Sequence, residues 1–541
     1  NVVSHADGIS YNSTDNTFTL ATVALQVANG TPPVGGYLMT VQRDADGGFG
    51  TMRWTEVNYN DNTSGITIPT SVAGDVMTGE YAAGGTTTSW SSATSFAIDP
   101  SNVISGNGGN GIAILDSTKA AGTNNIIAQN RIGTSADGSA ALANGENGIL
   151  IDGSSRNLIG GTLSGGNDPT KEKTVPPPLG NLISGNRGHG VLITDGATHN
   201  ILSGNFIGTS ASGNQKLGNG GDGVTIVKSD NNALLGCQLE SSPFVYYNVV
   251  SGNTGNGLRI SNSDNTTIHA NFFGLAANNV DPLGNGLNGA LIEGDSSNTQ
   301  YGGVIPLGNV NAGNGANGIE VKDTVSGFIT FNTFAGTTAF GSIAPNKENG
   351  MLFSATGGNN TIRTNVIGGN LKNGIHITGE AKDIVIDPNI IGLDSYGLSA
   401  TDTTTGASFA NLENGILIDG NSSNIQIIGK YQSIIPQNTI SNNQGYGLYI
   451  GGKASNITVE DTVFGVGSTK KGNFGNQRGG IYIGGNSSKV RIGDPDSSGI
   501  DVLIAYSHGS GITINGRLNN TITNTELRDN SAYGISFLSM N

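Results

Sequence analysis

A recurring glycine frame constrains the fold of this chain more than any other feature. It reads Gly-apolar-x-apolar, often after Asn, and it begins at Gly111, Gly148, Gly190, Gly223, Gly257, Gly289, Gly318, Gly350, Gly374, Gly415, Gly447, Gly480, Gly511 and Gly534. The shortest intervals, from Gly350 and from Gly511 to the next frame, contain one bare unit, and longer intervals add loops. One such unit cannot bury its apolar face alone, so the repeat predicts a stacked solenoid.

The bare unit that starts at Gly511 contains three short alternating runs. They centre on Ile512 and Ile514, on Ile522 and on Leu527, and each is followed by Asn, Gly or Asp. Residues two apart share one face of a strand, which predicts three strands per coil. Fourteen frames at the inter-strand spacing of about 4.8 Å give an all-β rod of about 14 coils and roughly 65 Å, a single-stranded parallel β-solenoid.

Asparagine and glycine between the runs fit tight corners, because Gly adopts positive φ freely and Asn tolerates it. Asn at equal positions of successive coils also forms stacked amide ladders. One predicted column contains Asn107, Asn186 and Asn253, and a second contains Asn110, Asn147, Asn256, Asn288, Asn317, Asn349, Asn373 and Asn414. We interpret both columns as structural.

Residues 1–99 lack the frame and carry runs rich in Thr, Val and aromatic residues, so they predict a β-rich N-terminal cap or small β domain, before a parallel β-helix over 100–541. The segment MTVQRDADGGFGTMRWTEVNYNDNTSGITIP and the units NRIGTSADGSAALANGENGILIDG and NFIGTSASGNQKLGNGGDGVTIV resemble bacterial and archaeal secreted surface proteins with Asn-x-Ile-Gly-Thr repeats. The resemblance implies a right-handed, pectate-lyase-like parallel β-helix. It also implies an amphipathic capping helix near Met52, although Met52 and Trp54 alternate as in a strand.

Charge and composition exclude several classes of partner. The net charge of -15 argues against nucleic acid, and no run is long and apolar enough to predict a membrane span. Cys237 is the one cysteine and predicts a buried small apolar residue. Few charges, many Ser, Thr and Asn, and sequons such as those at Asn12, Asn62, Asn265, Asn421 and Asn486 favour an extracellular or cell-surface location.

The C-terminal coil, which includes Gly534 to Leu538, is followed in the sequence by no capping helix, and we expect its edge to be open. An open edge favours head-to-tail self-association, with residues 10–28 of another copy adding a strand. This predicts a filament or array. A chain lost beyond Asn541 is the alternative.

The sequence gives little support for catalysis. Glycosidases need paired carboxylates, and of the polygalacturonase motifs only Gly188-His189-Gly190 is matched, with an echo at Ser507-His508-Gly509. Both histidines are simpler to interpret as polar corner residues that replace Asn. We therefore predict no catalytic residue.

Acidic residues likewise predict no metal site or cofactor site. Asp116, Asp152, Asp195 and Asp419 follow the frame at similar offsets, as a calcium-dependent lyase would need, but other coils place different residues there. Asp494 and Asp496 form a weak candidate for a surface cation. No cofactor is expected.

Loops are the remaining candidates for recognition. Inserts at 162–180, 238–248, 393–412 and 430–437 are expected to project from one side of the rod. Tyr246, Tyr247, Tyr301 and Tyr431 are candidates to stack on surface glycans or to anchor their own loops. The favoured function is an extracellular structural protein, a filament subunit or adhesin; the alternatives are a polysaccharide lyase or glycoside hydrolase, and a carbohydrate- or receptor-binding solenoid.

Overall fold

The computed structural model describes residues 102–116, 124–161, 180–238, 245–303, 308–339, 341–430, 435–515 and 519–538. It also describes the backbone of strands between residues 2 and 98. These ranges contain three parallel sheets of fourteen strands each, and every coil adds one strand to each sheet. The prediction of a parallel β-helix with about 14 coils is confirmed.

We name the sheets S1, S2 and S3 in the order in which the chain visits them, and number the coils 1 to 14. S1 contains Ala97–Ile98, Ile126–Ile127, Leu158–Gly160, Ile201–Ser203, Ala233–Leu235, Thr267–His269, Gln300–Tyr301, Ile329–Phe331, Asn360–Arg363, Lys382–Ile386, Ser423–Ile427, Ser455–Val459, Ser488–Ile492 and Thr521–Ile522. S2 contains Val103–Ile104, Arg131–Ile132, Leu182–Ile183, Phe206–Ile207, Asn248–Val250, Asn271–Phe273, Val310–Asn311, Phe334–Ala335, Val366–Ile367, Ile390–Ile391, Asn438–Ile440, Thr462–Phe464, Val502–Ala505 and Thr525–Arg528.

S3 contains the strands of the glycine frame. They are Ile112–Leu115, Ile149–Asp152, Val191–Thr194, Val224–Val227, Leu258–Ser261, Ala290–Glu293, Ile319–Val321, Met351–Phe353, Ile375–Ile377, Ile416–Ile418, Tyr446–Ile450, Gly479–Gly484, Ile512–Asn515 and Ile535–Phe537. In coils 1 to 13 the two apolar residues of each frame point inward and form, with S1 and S2, one continuous core, whereas Ile535 and Phe537 of coil 14 are exposed. The residue between the two apolar residues points outward.

The frame requires glycine because the coils approach closely at the turn into S3. A Cβ on Gly350 would lie 2.6 Å from Cγ2 of Ile367 and 2.7 Å from the carbonyl oxygen of Gly374 in the next coil. Other residues therefore displace either the core or the neighbouring coil.

An asparagine ladder, buried in every coil but the first, follows the S2 strands. Its members are Asn107, Asn144, Asn186, Asn219, Asn253, Asn285, Asn314, Asn346, Asn370, Asn411, Asn443 and Asn476, and each from Asn107 to Asn443 donates its side-chain amide to the Oδ1 of the member in the next coil. Many of them also donate to backbone carbonyls, as Asn285 does to Val250 O. The ladder satisfies backbone groups that the corner removes from the sheets. The predicted column of Asn107, Asn186 and Asn253 is confirmed.

The corner between S3 and S1 has a repeated left-handed residue. Thirteen coils place a residue of positive φ two positions before the outward residue of S1: Asn124, Arg156, His199, Asn231, Asn265, Asn298, Gly327, Asn359, Asp383, Asn424, Asn456, Lys489 and Asn519. Most are Asn, which adopts this conformation at the lowest cost among non-glycine residues. The asparagine content of the sequence thus arises largely at corners.

S2 is covered on its outer face by its own loops. In coils 2, 4, 6, 8 and 10 the turn after S2 closes with a single antiparallel bridge, for example Thr209 to Lys216. Loops two coils apart touch directly, as Ala211 N donates to Gly138 O (3.0 Å). Phe272, Leu275 and Val310 are buried beneath this layer. Most S2 strands are therefore buried on both faces, whereas the terminal strands Val103–Ile104 and Thr525–Arg528 are not.

The described part of residues 1–99 is strand-rich. Val2–Asn12, Thr17–Gln26, Val34–Arg43 and Phe49–Val57 form an antiparallel sheet in chain order, and Gly65–Ala73 pairs with Val76–Ala83. Met52 and Trp54 lie in a strand, as their alternation indicates, and not in the capping helix that the family resemblance implies. That these residues form a separate domain stays a prediction. No helix in the described ranges is long and apolar enough to span a membrane.

Candidate functional site on the outer face of S3

The outer face of S3 carries a second asparagine ladder at the position just before the frame glycine. Its amides run from Asn414 through Asn373, Asn349, Asn317, Asn288 and Asn256, and again from Asn147 to Asn110, each donating to the Oδ1 of the preceding coil. The predicted column is confirmed as a ladder. Two coils within it carry His189 and Asp222 instead of Asn.

His189 and Asp222 complete the ladder by accepting the bonds that Asn would accept. His189 Nδ1 accepts from the backbone N–H of Asp222 (3.0 Å), and it lies 3.1 Å from the Thr225 hydroxyl. Asp222 Oδ1 accepts from the backbone N–H and from Nδ2 of Asn256. Burial lowers the pKa of His189, and the carboxylate of Asp222 opposes that shift. The interpretation of His189 as a corner residue that replaces Asn agrees with these contacts.

An ion-paired cluster lies on the same face in coils 5 to 7, starting two coils from His189. Glu293 is buried and receives Arg259 on one oxygen and Lys322 on the other, the latter at 3.0 Å. Burial raises the pKa of Glu293, but the bonds from Lys322 and Arg259 outweigh it and the net shift is downward. Arg259 and Lys322 are thus both paired with Glu293, and we interpret this cluster as structural.

The outer ladder ends at Tyr446, where a tyrosine cluster begins. The backbone N–H of Tyr446 donates to Asn414 Oδ1 (2.9 Å) as the ladder residues do, but the tyrosine ring takes the place of the side-chain amide. Tyr449 and Tyr482, from coils 11 and 12, are stacked at 4.6 Å with an interplanar angle of 16°. Tyr446 lies 5.2 Å from Tyr482 and 5.9 Å from Tyr449. The three half-buried rings form one aromatic surface with hydroxyl groups.

Glycines in S3 make room for these rings. A Cβ on Gly451 would lie 2.8 Å from Tyr449 Cε1, and a Cβ on Gly484 would lie 2.4 Å from Tyr482 Cε1. Asn515 Nδ2 donates to the Tyr482 hydroxyl (3.0 Å). Burial raises the pKa of Tyr446 and of Tyr449, so both hydroxyls stay protonated at neutral pH and can donate hydrogen bonds.

A histidine–carboxylate pair lies two coils from Tyr449. His376 Nε2 is 3.1 Å from Asp419 Oδ1, and both side chains are partly exposed. The hydrogen bond from His376 is the main reason that the pKa of Asp419 is lowered. His376, Leu417 and Tyr449 are consecutive outward residues of one S3 column.

We refer to the outward residues His376, Leu417 and Tyr449, with Asp419 beside them, as the notch. His376 and Tyr449 are separated by two strand spacings, about 9.6 Å, and Leu417 between them is shorter than either ring system. Because Tyr449 stacks on Tyr482 along the rod, its opposite face is directed towards coil 10. Atoms in van der Waals contact lie about 3.5–4 Å apart, so a separation of about 9.6 Å between two ring systems is the width that one flat ring between them needs.

The predicted acidic column is not one column. Asp152 pairs in register with Leu115 and Thr194, whereas Asp116 and Asp195 lie one residue beyond that register, and Asp419 belongs to coil 10. Asp494 Oδ1 accepts from the backbone of Asp496 within its own loop. Among the described residues no group of three or more His, Cys, Asp or Glu is placed to hold a metal ion.

His508 differs from His189 in position. His189 directly precedes its frame glycine, whereas Ser510 occupies that position in coil 13 and His508 lies on the exposed corner before it. His508 is thus a polar corner residue, as expected, but the positions that carry Asn in other coils are occupied here by Ser507 and Ser510. About ten coils, roughly 48 Å, separate the two histidines, so they do not form one site.

Two of the tyrosines predicted as recognition residues pack within the protein instead. Tyr301 is fully buried and its hydroxyl donates to Asn311 Oδ1 (2.7 Å), so it cannot stack on a glycan. Tyr247 stacks on Phe272 at 4.2 Å and anchors its own loop. Tyr431 and the side chains of Tyr246 and Cys237 lie outside the described residues.

The inserts also divide between two corners. Those at 162–180, 238–248 and 430–437 connect S1 to S2, whereas 393–412 connects S2 to S3. They therefore do not fall in comparable places, and because 162–179, 239–244 and 431–434 lie outside the described residues, the side to which those three inserts project stays a prediction.

The tyrosine cluster escaped the sequence interpretation, although a signal was present. Tyr449 and Tyr482 occupy the same outward position of consecutive frames, and Tyr446 replaces the ladder Asn. Aligning the frames by their glycines places all three on one surface.

Comparison with known proteins gives the fold its family description. Residues 288–464, a stretch from coil 6 to coil 12 that includes the notch, match the family described as "Right handed beta helix region". The chain is a right-handed parallel β-helix. No curated protein matches the sequence at a significant level.

Solved structures with a similar fold share little sequence identity with this chain. A double mutant of the periplasmic alginate epimerase AlgG is 12% identical with a TM-score of 0.39, over 72% of this chain and 77% of that chain. The mannuronan C-5 epimerase AlgE6 A-module of Azotobacter vinelandii is 13% identical with a TM-score of 0.27, over 81% and 100%. A DFA-IIIase of Arthrobacter chlorophenolicus A6 is 13% identical with a TM-score of 0.31, over 70% and 85%. Similarity at this level carries no inference about activity.

Proposed function

We propose that this β-helix is an extracellular glycan-binding protein, and that a glycan chain lies along the outer face of S3 in coils 9 to 12. The observation that carries the proposal is the notch between His376 and Tyr449, which continues into the tyrosine cluster. The low charge content and the sequons support an extracellular location.

The chemistry of the notch suits a sugar. A pyranose ring has apolar faces that pack on aromatic rings and hydroxyl groups at its edge. Tyr449 provides an aromatic wall with a hydroxyl, and Asp419 provides a carboxylate that accepts strong hydrogen bonds. His376 orients that carboxylate through the 3.1 Å contact.

Charge favours a neutral glycan. The net charge of the protein is -15, and Asp419 adds a carboxylate inside the notch. The cations Arg259 and Lys322 on the same sheet are already paired with Glu293. Acidic polysaccharides are therefore expected to bind more weakly than neutral ones.

Binding to a glycan array, followed by calorimetry with the strongest neutral oligosaccharide, tests the proposal. Replacing Tyr449 by Ala removes one stacking wall, and we expect a loss of about 0.5–1.5 kcal/mol, or roughly 2- to 12-fold in affinity. Tyr396→Ala is the matched control, because Tyr396 is exposed on the 393–412 insert, away from S3. Equal effects of both variants, or no binding to any glycan, would rule the proposal out.

Acid–base chemistry on the bound glycan is a second candidate. It is favoured by the His376–Asp419 pair near a tyrosine hydroxyl, since a carboxylate that orients a histidine is a common arrangement for proton transfer. Assays for reducing ends and for unsaturated products, with His376→Ala beside the unmodified protein, test it. Product formed equally by both proteins would exclude this histidine.

Filament formation, the first interpretation of the sequence, stays a prediction. Electron micrographs of the purified protein at high concentration test it directly. Single short rods throughout would count against self-association.

A further inference from the structure

The described residues contain six Asn-x-Ser/Thr sequons, and all six lie on one edge of the rod. They begin at Asn265, Asn359, Asn421, Asn456, Asn486 and Asn519. Each lies at the corner between S3 and S1, immediately before or within an S1 strand. All six asparagines are exposed.

The repeat itself creates these sequons. Asn265, Asn359, Asn456 and Asn519 occupy the left-handed position of the corner, with φ between 51° and 61°. The outward residue of S1 follows two positions later, and in these coils it is Thr267, Thr361, Thr458 or Thr521. An Asn in the left-handed position with an outward Thr two residues later therefore forms a sequon. The amide and the hydroxyl are both on the solvent side of the rod.

The ladder asparagines differ from the corner asparagines both in their exposure and in the residues that follow them. Asn285 and Asn314, for example, are buried and donate their amides to neighbouring coils. No ladder member begins a sequon. On the corner, Asn456 donates one amide hydrogen to Asn424 Oδ1 (2.6 Å) and stays exposed.

We propose that the S3–S1 corner is an acceptor edge for N-linked glycans. In the reaction, the side-chain nitrogen of Asn bonds to the anomeric carbon of a lipid-linked oligosaccharide. The bond from that carbon to the pyrophosphate oxygen breaks, the lipid pyrophosphate leaves, and the amide proton passes to a base of the transferase. The proposal does not depend on glycan binding at the notch.

Coil spacing predicts unequal occupancy along the edge. Asn265 and Asn359 belong to coils 6 and 9, which are three spacings or about 14 Å apart. Asn421, Asn456, Asn486 and Asn519 belong to coils 11 to 14, at about 4.8 Å per step. Oligosaccharides on adjacent coils compete for the same space. We therefore expect Asn265 and Asn359 to have the highest occupancy.

Secretion of the full chain from a eukaryotic host tests the proposal. Enzymatic deglycosylation in heavy-oxygen water converts each glycosylated Asn to a labelled Asp, which peptide mass spectrometry locates. We expect label at Asn265 and Asn359, and lower label on the four crowded sites. Asn265→Gln should remove the label at that site alone, with an unchanged β-type circular dichroism spectrum.

Two results would overturn the proposal. One is secreted protein with no label at Asn265 and Asn359. The other is label confined to sequons before residue 100, such as Asn12 and Asn62.

Discussion

The buried asparagine ladder gives the sharpest stability prediction, because one side chain holds several buried groups. Asn285 donates Nδ2 to Val250 O (3.0 Å) and to Asn314 Oδ1 (3.1 Å). Its Oδ1 accepts from the backbone N–H (3.2 Å) and from Nδ2 (3.1 Å) of Asn253. We consider the replacement Asn285→Ala.

In this variant two buried backbone groups lose the hydrogen bond that Asn285 supplies, and no other hydrogen-bond partner is described for either of them. They are the backbone N–H of Asn253 and the carbonyl of Val250, whereas Asn253 Nδ2 keeps Ile207 O at 3.1 Å. Asn314 Oδ1 keeps the backbone N–H of residue 285. A buried unsatisfied group costs about 1–3 kcal/mol. The variant should therefore lose about 2–6 kcal/mol.

Urea unfolding and hydrogen exchange measure this loss. Since a solenoid opens locally, amide protection in coils 5 to 7 should fall by about 30-fold or more, which corresponds to the lower limit of about 2 kcal/mol. Asn214→Ala is the control, because Asn214 is exposed on the loop after the S2 strand of coil 4. A change below about 0.5 kcal/mol for Asn285→Ala would refute the role that we assign to the ladder.

Two further predictions concern the frame and the ladder histidine. Gly350→Ala should lower the free energy of unfolding by about 1–3 kcal/mol, because the added Cβ overpacks against Ile367. Gly499→Ala is the control, since its added Cβ meets nothing within 4 Å and should leave the urea midpoint unchanged. Equal urea midpoints for the two variants would contradict the packing argument. The lowered pKa of His189 predicts that its stabilising contribution is complete above the unfolded value of about 6.5 and is lost as the pH falls from there to the folded value. His189→Asn, which restores the common ladder residue, should therefore lose less stability than the unmodified protein between pH 7.5 and pH 5.5, and an identical pH dependence of both proteins would show that His189 has no such role.

The sequence predicts the β-helix well because the fold repeats the same physical demand in every coil. Gly350 must be small, Ile149 and Ile151 must be apolar, and Asn107 must bond along the rod, so one period carries the pattern. These demands depend on neighbours in adjacent coils, which the frame places in register. Both ladders were therefore predictable.

The candidate site was harder to predict because its residues are defined by their differences from the repeat. Tyr446 replaces a ladder Asn, and His376 and Asp419 come from different coils at different offsets. No local pattern joins them. Conversely, Tyr301 is a residue type that often binds glycans, but its side chain is fully buried in the core.

A crystal structure of the protein soaked with its best-binding neutral oligosaccharide would show whether a glycan lies on the outer face of S3. We predict a sugar ring above Leu417, between His376 and Tyr449, with a hydroxyl bonded to Asp419. Density for the sugar on a loop or on S1, with the notch occupied by water alone, would rule out glycan binding on S3.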